Sequence, residues 1–265
     1  MEKVLHCDPR KRGKVVIQEG VYEVCEDAFI DCKYITEVIF PESLAYISRG
    51  AFKDCSGLMS IILPLGFLSM LKNAFAYCYN LKSVKFEGPL TNIPDSCFLG
   101  CRDLSEFLFP KGTVYIGVKA FSGCESLKCL TVPEGVSVLN SYIFNDCKNL
   151  QRINLPNSLE YICEGAFNGC DSLKLISIPK NVKRIGKENF SGMRSLKTIV
   201  CLPVIPPEIP DFPHYYKSPT IMKLIGGPIY AKVKLYVSPE AIEAYSNHNY
   251  WGKFEILSLG EEEIE

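Results

Sequence analysis

The chain is short of the groups that most enzymes use for chemistry at neutral pH. Its 265 residues include three histidines, His6, His214 and His248, all outside the repeated part of the sequence described below. Histidine is the usual base that activates a serine or cysteine nucleophile, so none of the repeated nucleophiles has one nearby by sequence order. The G-x-S-x-G elbow, the phosphate-binding loop and G-x-G-x-x-G are all absent. Charge of one sign is lacking too: 29 basic against 30 acidic side chains leave a net charge of −1. That balance gives no field to draw in nucleic acid or anionic lipid. RKRGK at 10–14 and the closing EEEIE read as solvated ends.

Long hydrophobic runs are missing as well. The longest, IILPLGFLSML at 61–71, is too short for a bilayer span and is broken by proline and glycine. MEKVLHCDPRKRGK at the start has no apolar core for a signal peptide, although a trimmed leader would leave no trace. With 47% hydrophobic and 22% charged residues, the composition is that of a globular protein large enough to bury a core.

Cysteine, by contrast, is abundant. Seven of the thirteen fall at Cys32, Cys55, Cys78, Cys101, Cys124, Cys147 and Cys170, each 23 residues after the last, and Met193 takes the next place. A phenylalanine stands three residues before each, from Phe29 and Phe52 to Phe167 and Phe190. Three residues after each place comes Ile35 or a leucine, from Leu58 to Leu196, then an apolar residue three further on and another two beyond that. The phrase L-x-x-L-x-L is therefore written eight times. Its alternation predicts a short strand with Val38 and Phe40 on one face and Ile39 on the other. Proline follows at Pro41, Pro64, Pro110, Pro133, Pro156 and Pro179 and ends the strand, since it has no N–H to give. A second apolar pair, such as Leu44 with Ile47, predicts another extended segment, and Ala–Phe a single helical or 3₁₀ turn. Gly or Asp precedes the cysteine place in seven of eight copies, Tyr77 being the exception, which predicts a left-handed residue there.

One such unit cannot cover its own apolar side, so the units must stack, about 4.8 Å apart. The expected fold is an α/β solenoid, a right-handed superhelix of 23-residue repeats, each with short strands and a helical turn, capped at both ends. The expected division is a leader or cap over 1–14, a solenoid over 15–201, and a proline-rich loop with a C-terminal cap over 202–265. KVVIQEGVYEV at 14–24 reads as a repeat with Gln18 in the proline's place, preceded by a leader read as a hairpin. Beyond 201, AKVKLYV reads as a strand, Ser238–Pro239 as the cap and start of a helix through AIEAY, and Trp251 with Phe254 as the packing that holds it to the last rung.

The unit FNGCDSLKLISIPKNVKRIGKEN from Phe167 resembles the BspA-like leucine-rich repeat of many bacteria and some protists. KLYVSPEAIEAYSNHNYWGKFEIL, PVIPPEI and the leader are similar to the closing, linking and entry segments of such proteins. The resemblance implies a leucine-rich repeat solenoid, a surface or secreted location and, for some members, adhesion to host matrix proteins. It supplies no catalytic residues. This chain departs from the pattern at Glu87, which replaces the proline, at Asn189, which replaces the alanine, and at Met193.

The cysteines invite readings as disulfides, metal ligands or nucleophiles. A column of inward thiols spaced by one rung is slightly too wide for an unstrained bridge, and a buried free cysteine behaves as a small hydrophobe. Cys97 with Cys101 and Cys124 with Cys129 lie on different columns, and Cys25 with Cys163 are six rungs apart, so no zinc set forms. No metal or cofactor is expected, and recognition by a surface remains. The outward strand places include Ile39, Ile62, Lys85 and Leu108, with Arg152 in the neighbouring column. A second outward column carries Tyr46, Tyr115 and Tyr161, and Tyr215 and Tyr216 follow in the loop. These eight strand residues form the candidate face for a protein or glycan partner, without nucleic acid binding or membrane insertion. The expected function is a non-enzymatic, adhesin-like module at a bacterial surface or secreted. Unpaired thiols and the missing leader favour the alternative, an intracellular scaffold.

Overall fold

In the computed structural model, which describes residues 2–209, 229 and 232–260, the leucine and isoleucine columns become two parallel ladders facing one core. The first ladder runs through β2 (Gly13–Val16), β4 (Ile35–Ile39), β6 (Ser60–Leu63) and β8 (Ser83–Phe86). It resumes with β11 (Cys129–Thr131) and β13 (Arg152–Asn154), then β15 (Leu175–Ile178), β17 (Thr198–Cys201), β18 (Lys234–Val237) and β19 (Glu255–Ser258). The second holds β1 (Glu2–Val4), β3 (Val21–Val24), β5 (Tyr46–Ile47) and β7 (Ser69–Met70). It continues with β9 (Asn92–Ile93), β10 (Tyr115–Ile116), β12 (Val138–Leu139), β14 (Tyr161–Ile162) and β16 (Arg184–Ile185). Successive repeats sit in register at 23 residues, as in Ile61 opposite Val84 and Tyr46 opposite Ser69. The result is the leucine-rich repeat solenoid that the period implies.

Between the ladders, each proline turns the corner by accepting a hydrogen bond from the N–H three residues on, as Pro64 does from Phe67 and Pro156 from Leu159. The Ala–Phe segment forms a third wall of three-residue turns. Its donors alternate: Ile30 and Cys32 bond back within the rung, while Asp27, Phe29 and Asp31 bond to the carbonyls of Arg49, Ala51 and Lys53 in the next. The residue before the cysteine place is left-handed in all eight copies, Tyr77 included at φ 62°. A second left-handed column, unforeseen from the sequence, runs through Asp27, Gly50, Asn73, Ser96, Lys119, Tyr142, Gly165 and Glu188. Only half of these are Gly, Asn or Asp, so composition hides the position.

The phenylalanines stack into a continuous ladder along the core. Ring centroids lie 4.7 Å apart for Phe29–Phe52 and 6.0 Å for Phe144–Phe167. Each stacked pair adds to the burial of two large rings. The seven periodic cysteines are buried beside them.

Irregularities fall where the sequence departs from its pattern. No strand forms over the 104–109 stretch, and the first ladder is interrupted between β8 and β11. Glu87 cannot supply the proline corner, and Leu90 instead donates to Lys111 of the following rung. Phe107 fills an inward place held elsewhere by Ile, Val or Leu and packs against Phe98, Phe109 and Phe121. The strand pairing is missing in the rung where these rings meet. Asn189 is buried, and its amide bonds the carbonyls of Cys163 and Gly186 at 2.8 and 2.9 Å.

Both ends differ in part from the sequence reading. The leader is not a hairpin: β1 pairs parallel to β3, because the coil presents the edge of β3 to a strand running its own way. At the other end β18 and β19 extend the first ladder as two further rungs. They are joined by a 3₁₀ turn at Pro239–Ala241 and a short helix α1 (Ile242–Ser246). Ser238 stands at the N-cap place with extended backbone, but its hydroxyl makes no capping bond. Trp251 is fully buried, packs on Phe190 at 6.3 Å and donates its indole N–H to Pro207. The Tyr245 hydroxyl donates to Pro203 at 2.8 Å, so the cap is pinned to the segment after the last repeat.

Candidate binding face

The chemistry of the thiols is settled by where they point. Cys55, Cys78, Cys101, Cys124, Cys147 and Cys170 each direct the S–H at the carbonyl of the phenylalanine in the preceding rung, 3.0 to 3.3 Å away. Cysteine therefore serves as a small apolar residue that also carries a donor. Burial pushes every thiol in this column well above its ordinary value. They are protonated at neutral pH, the form that neither attacks an electrophile nor ligates a metal. All thirteen cysteines are unbridged. Among the described residues, no group of three or more His, Cys, Asp and Glu side chains could hold a metal ion. His248 accepts hydrogen bonds from the N–H groups of Tyr250 and Trp251 in the cap. His214, Tyr215 and Tyr216 lie outside the described residues.

The outward side chains occupy two walls. On the first ladder Val16 and Ile39 are directly opposed across β2 and β4, and Ile62 follows in the next rung. They are 62%, 38% and 53% exposed and form one aliphatic stripe. Val16 is missing from the candidate set, although counting back one period from Ile39 reaches it. Lys85 opposes Ile62 and ends the stripe, held by Glu87 at 3.2 Å. Leu108, 85% exposed, stands in the rung whose first-ladder segment forms no strand. Arg152 opposes Cys129 in the other half of the ladder, five rungs from Ile39 and on the order of 24 Å away.

The tyrosines stand on the second ladder and do not touch one another. Tyr46 is opposed by Ser69, Tyr115 by Asn92 and Tyr161 by Val138 and Arg184. The eight residues therefore divide between two walls, and Ile39, Ile62 and Lys85 are the ones that follow one another in consecutive paired rungs.

A stronger concentration lies in the third rung. Met59, Ile62, Leu65, Leu68 and Leu71, three residues apart, are all exposed, while Ile61, Leu63, Phe67 and Met70 between them are buried. IILPLGFLSML is thus apolar on both sides of the wall. The belt passes from the strand face, over the Pro64 corner, to the second ladder, and it joins the Val16–Ile39–Ile62 stripe at Ile62. Threefold spacing within the longest apolar stretch was the available signal.

Ion pairs bind neighbouring rungs elsewhere on the surface. Lys14–Glu37 is 3.3 Å, Lys148–Glu125 3.2 Å and Lys183–Glu160 2.8 Å, and Arg49 meets Glu26. Such exposed pairs add little stability, and among the described residues the belt gathers five of the exposed large apolar side chains into one stretch.

A leucine-rich repeat protein from Bacteroides ovatus has a similar structure, with 22% identity over 96% of this chain and 71% of that one and a TM-score of 0.62. The leucine-rich repeat protein of T. pallidum is 32% identical over 60% of this chain and 77% of its own, with a TM-score of 0.58. A leucine-rich cell surface protein from Faecalibacterium prausnitzii is 27% identical over 72% of this chain, with a TM-score of 0.49, and this chain spans 47% of its length. No curated protein matches. Six copies of the BspA type leucine-rich repeat region match residues 9–115 and 91–206. The regular cysteine and phenylalanine columns and the parallel ladders agree with that match, and the chain belongs to the BspA type leucine-rich repeat family.

Proposed function

We propose that the chain is a non-enzymatic, adhesin-like binding module, displayed at a bacterial surface or secreted, that holds a protein partner against the aliphatic belt of its third rung. The belt carries the reading. Soluble proteins rarely leave contiguous apolar surface uncovered, and Met59, Ile62, Leu65, Leu68 and Leu71 are uncovered in the described chain. A row of exposed aliphatic side chains suits another protein's apolar anchors better than a glycan's hydroxyls.

The test compares affinity capture by the intact chain with capture by a chain carrying Ile62→Ser, Leu65→Ser and Leu68→Ser. Partners recovered by the first and lost by the second, with the ladder folded in both, support the reading. Unchanged recovery moves the site to another wall.

Thirteen unbridged cysteines favour a second reading, an intracellular scaffold. Thiol titration of the denatured, unreduced protein with fractionation of its cells separates the two. An envelope location with bridged thiols ends the scaffold reading, and a cytoplasmic location with thirteen free thiols ends the surface one.

A further inference from the structure

The periodic thiols follow one rule, and the first of them meets something different. From Cys55 to Cys170, each S–H points to the phenylalanine carbonyl of the rung before. Cys32 has no phenylalanine before it. The preceding rung is formed by the leader, in which the Cys7 N–H donates to the Ala28 carbonyl at 2.7 Å. Phe29 makes the same bond to Ala51 at 2.7 Å, and Phe52 to Ala74 at 2.8 Å. Cys7 therefore occupies the phenylalanine place of the leader rung.

The Cys32 thiol, reaching for that place, finds the carbonyls of Cys7 and Asp8 at 3.9 and 3.8 Å. The Cys7 sulfur lies 3.8 Å from the same Asp8 carbonyl. The two thiols thus share one acceptor at the head of the core. Burial, and next the adjacent Cys7 sulfur, push Cys32 up to about 12. Elsewhere the geometry differs: the other periodic thiols are sealed in the core, and the exposed Cys129 faces Arg152 across the ladder.

We propose that Cys7 and Cys32 are an oxidation site that closes to a disulfide when the protein meets a small-molecule disulfide such as oxidised glutathione. Cys7 is only partly buried and receives the reagent first. Its thiolate attacks one glutathione sulfur, the glutathione S–S bond breaks, and one glutathione leaves as a thiolate that takes up a proton from solvent. Cys32 then gives its proton to solvent, a step that burial makes slow at neutral pH and faster as pH rises, and the thiolate attacks the Cys7 sulfur and releases the second glutathione. Two S–H bonds are lost, one S–S bond forms, and the two electrons given up by the cysteines reduce one glutathione disulfide to two thiols. The bridge staples the leader to the first full rung, where a solenoid end needs a cover.

The experiment incubates the intact protein with oxidised glutathione, then blocks free thiols and maps the peptides without reduction. The expected result is loss of two thiols from thirteen, a peptide pair joined through Cys7 and Cys32, and no loss in Cys7→Ser. Thirteen free thiols, glutathione persisting on Cys7, a bridge between any other pair, or loss of two thiols in Cys7→Ser would overturn the proposal.

Discussion

At the scale of the residue, the two repeated side chains do different work. Phe167 fills volume in the buried core, whereas Cys170 caps the Phe144 carbonyl through its S–H at 3.3 Å. Replacing Phe167 with alanine should cost about 3–5 kcal/mol, the usual range for a large buried ring that leaves a cavity. Cys170→Ala should cost about 1–2 kcal/mol, from a small void and one uncapped carbonyl. Urea unfolding of the two variants beside the parent measures both, and equal losses would contradict the division of labour. Glycine matters in the same way at Gly117, where an added Cβ would stand 2.4 Å from the Asp95 nitrogen of the preceding rung. The rungs approach too closely there for a side chain.

At the scale of the element, stability should follow the regularity of the ladder. β15 exchanges full pairing with β17 from Leu175 to Ile178, while the 105–109 segment is held by one long bond, from the Ser105 N–H to Lys82 at 3.4 Å. Amides of 106–109 should therefore exchange with deuterium at least about tenfold faster than those of β15, as expected for a segment that opens locally. Hydrogen exchange read by mass spectrometry checks this, and equal protection would mean that phenylalanine packing alone holds the segment. The parallel placing of β1 belongs to the same scale, since a strand added to the edge of a coil takes the direction of the coil.

At the scale of the whole molecule, the buried thiols together make the fold sensitive to alkali. A thiol whose ionisation is raised in the folded state stays protonated there, while the unfolded chain loses the proton near its ordinary value. Stability is thus fully present below about pH 9 and falls as pH rises above it, by up to about 1.4 kcal/mol per pH unit for each buried thiol. Cys55, Cys78, Cys101, Cys124, Cys147 and Cys170 are all raised by burial, so their contributions add in one direction. The urea midpoint should drop steeply between pH 9 and pH 10, and Cys170→Ala should make the drop shallower. A midpoint constant over that interval would show that the column titrates freely.

Much of this molecule is written locally. The 23-residue period, the inward columns, the proline corners and the left-handed residue before each cysteine are properties of one repeat, and one repeat recurs often enough for each place to be read from its neighbours. The departures Glu87, Asn189 and Met193 were legible as departures. The outward placing of Ile39 and Ile62 was readable, because a strand alternates and its outward places can be counted. What the sequence did not show depends on relations between rungs. The second left-handed column is imposed on Lys119 and Tyr142 by hydrogen bonds to the next rung, not by their own preference. The broken pairing arises where Phe107 meets other rings. The belt from Met59 to Leu71 is exposed because the coil turns both faces of one apolar stretch in different directions, and Cys7 meets Cys32 because the leader supplies the rung that the period omits. Repetition determined what each rung is, and stacking alone decided which side chains from separate rungs share a surface, since proximity between rungs is set by the geometry of the coil.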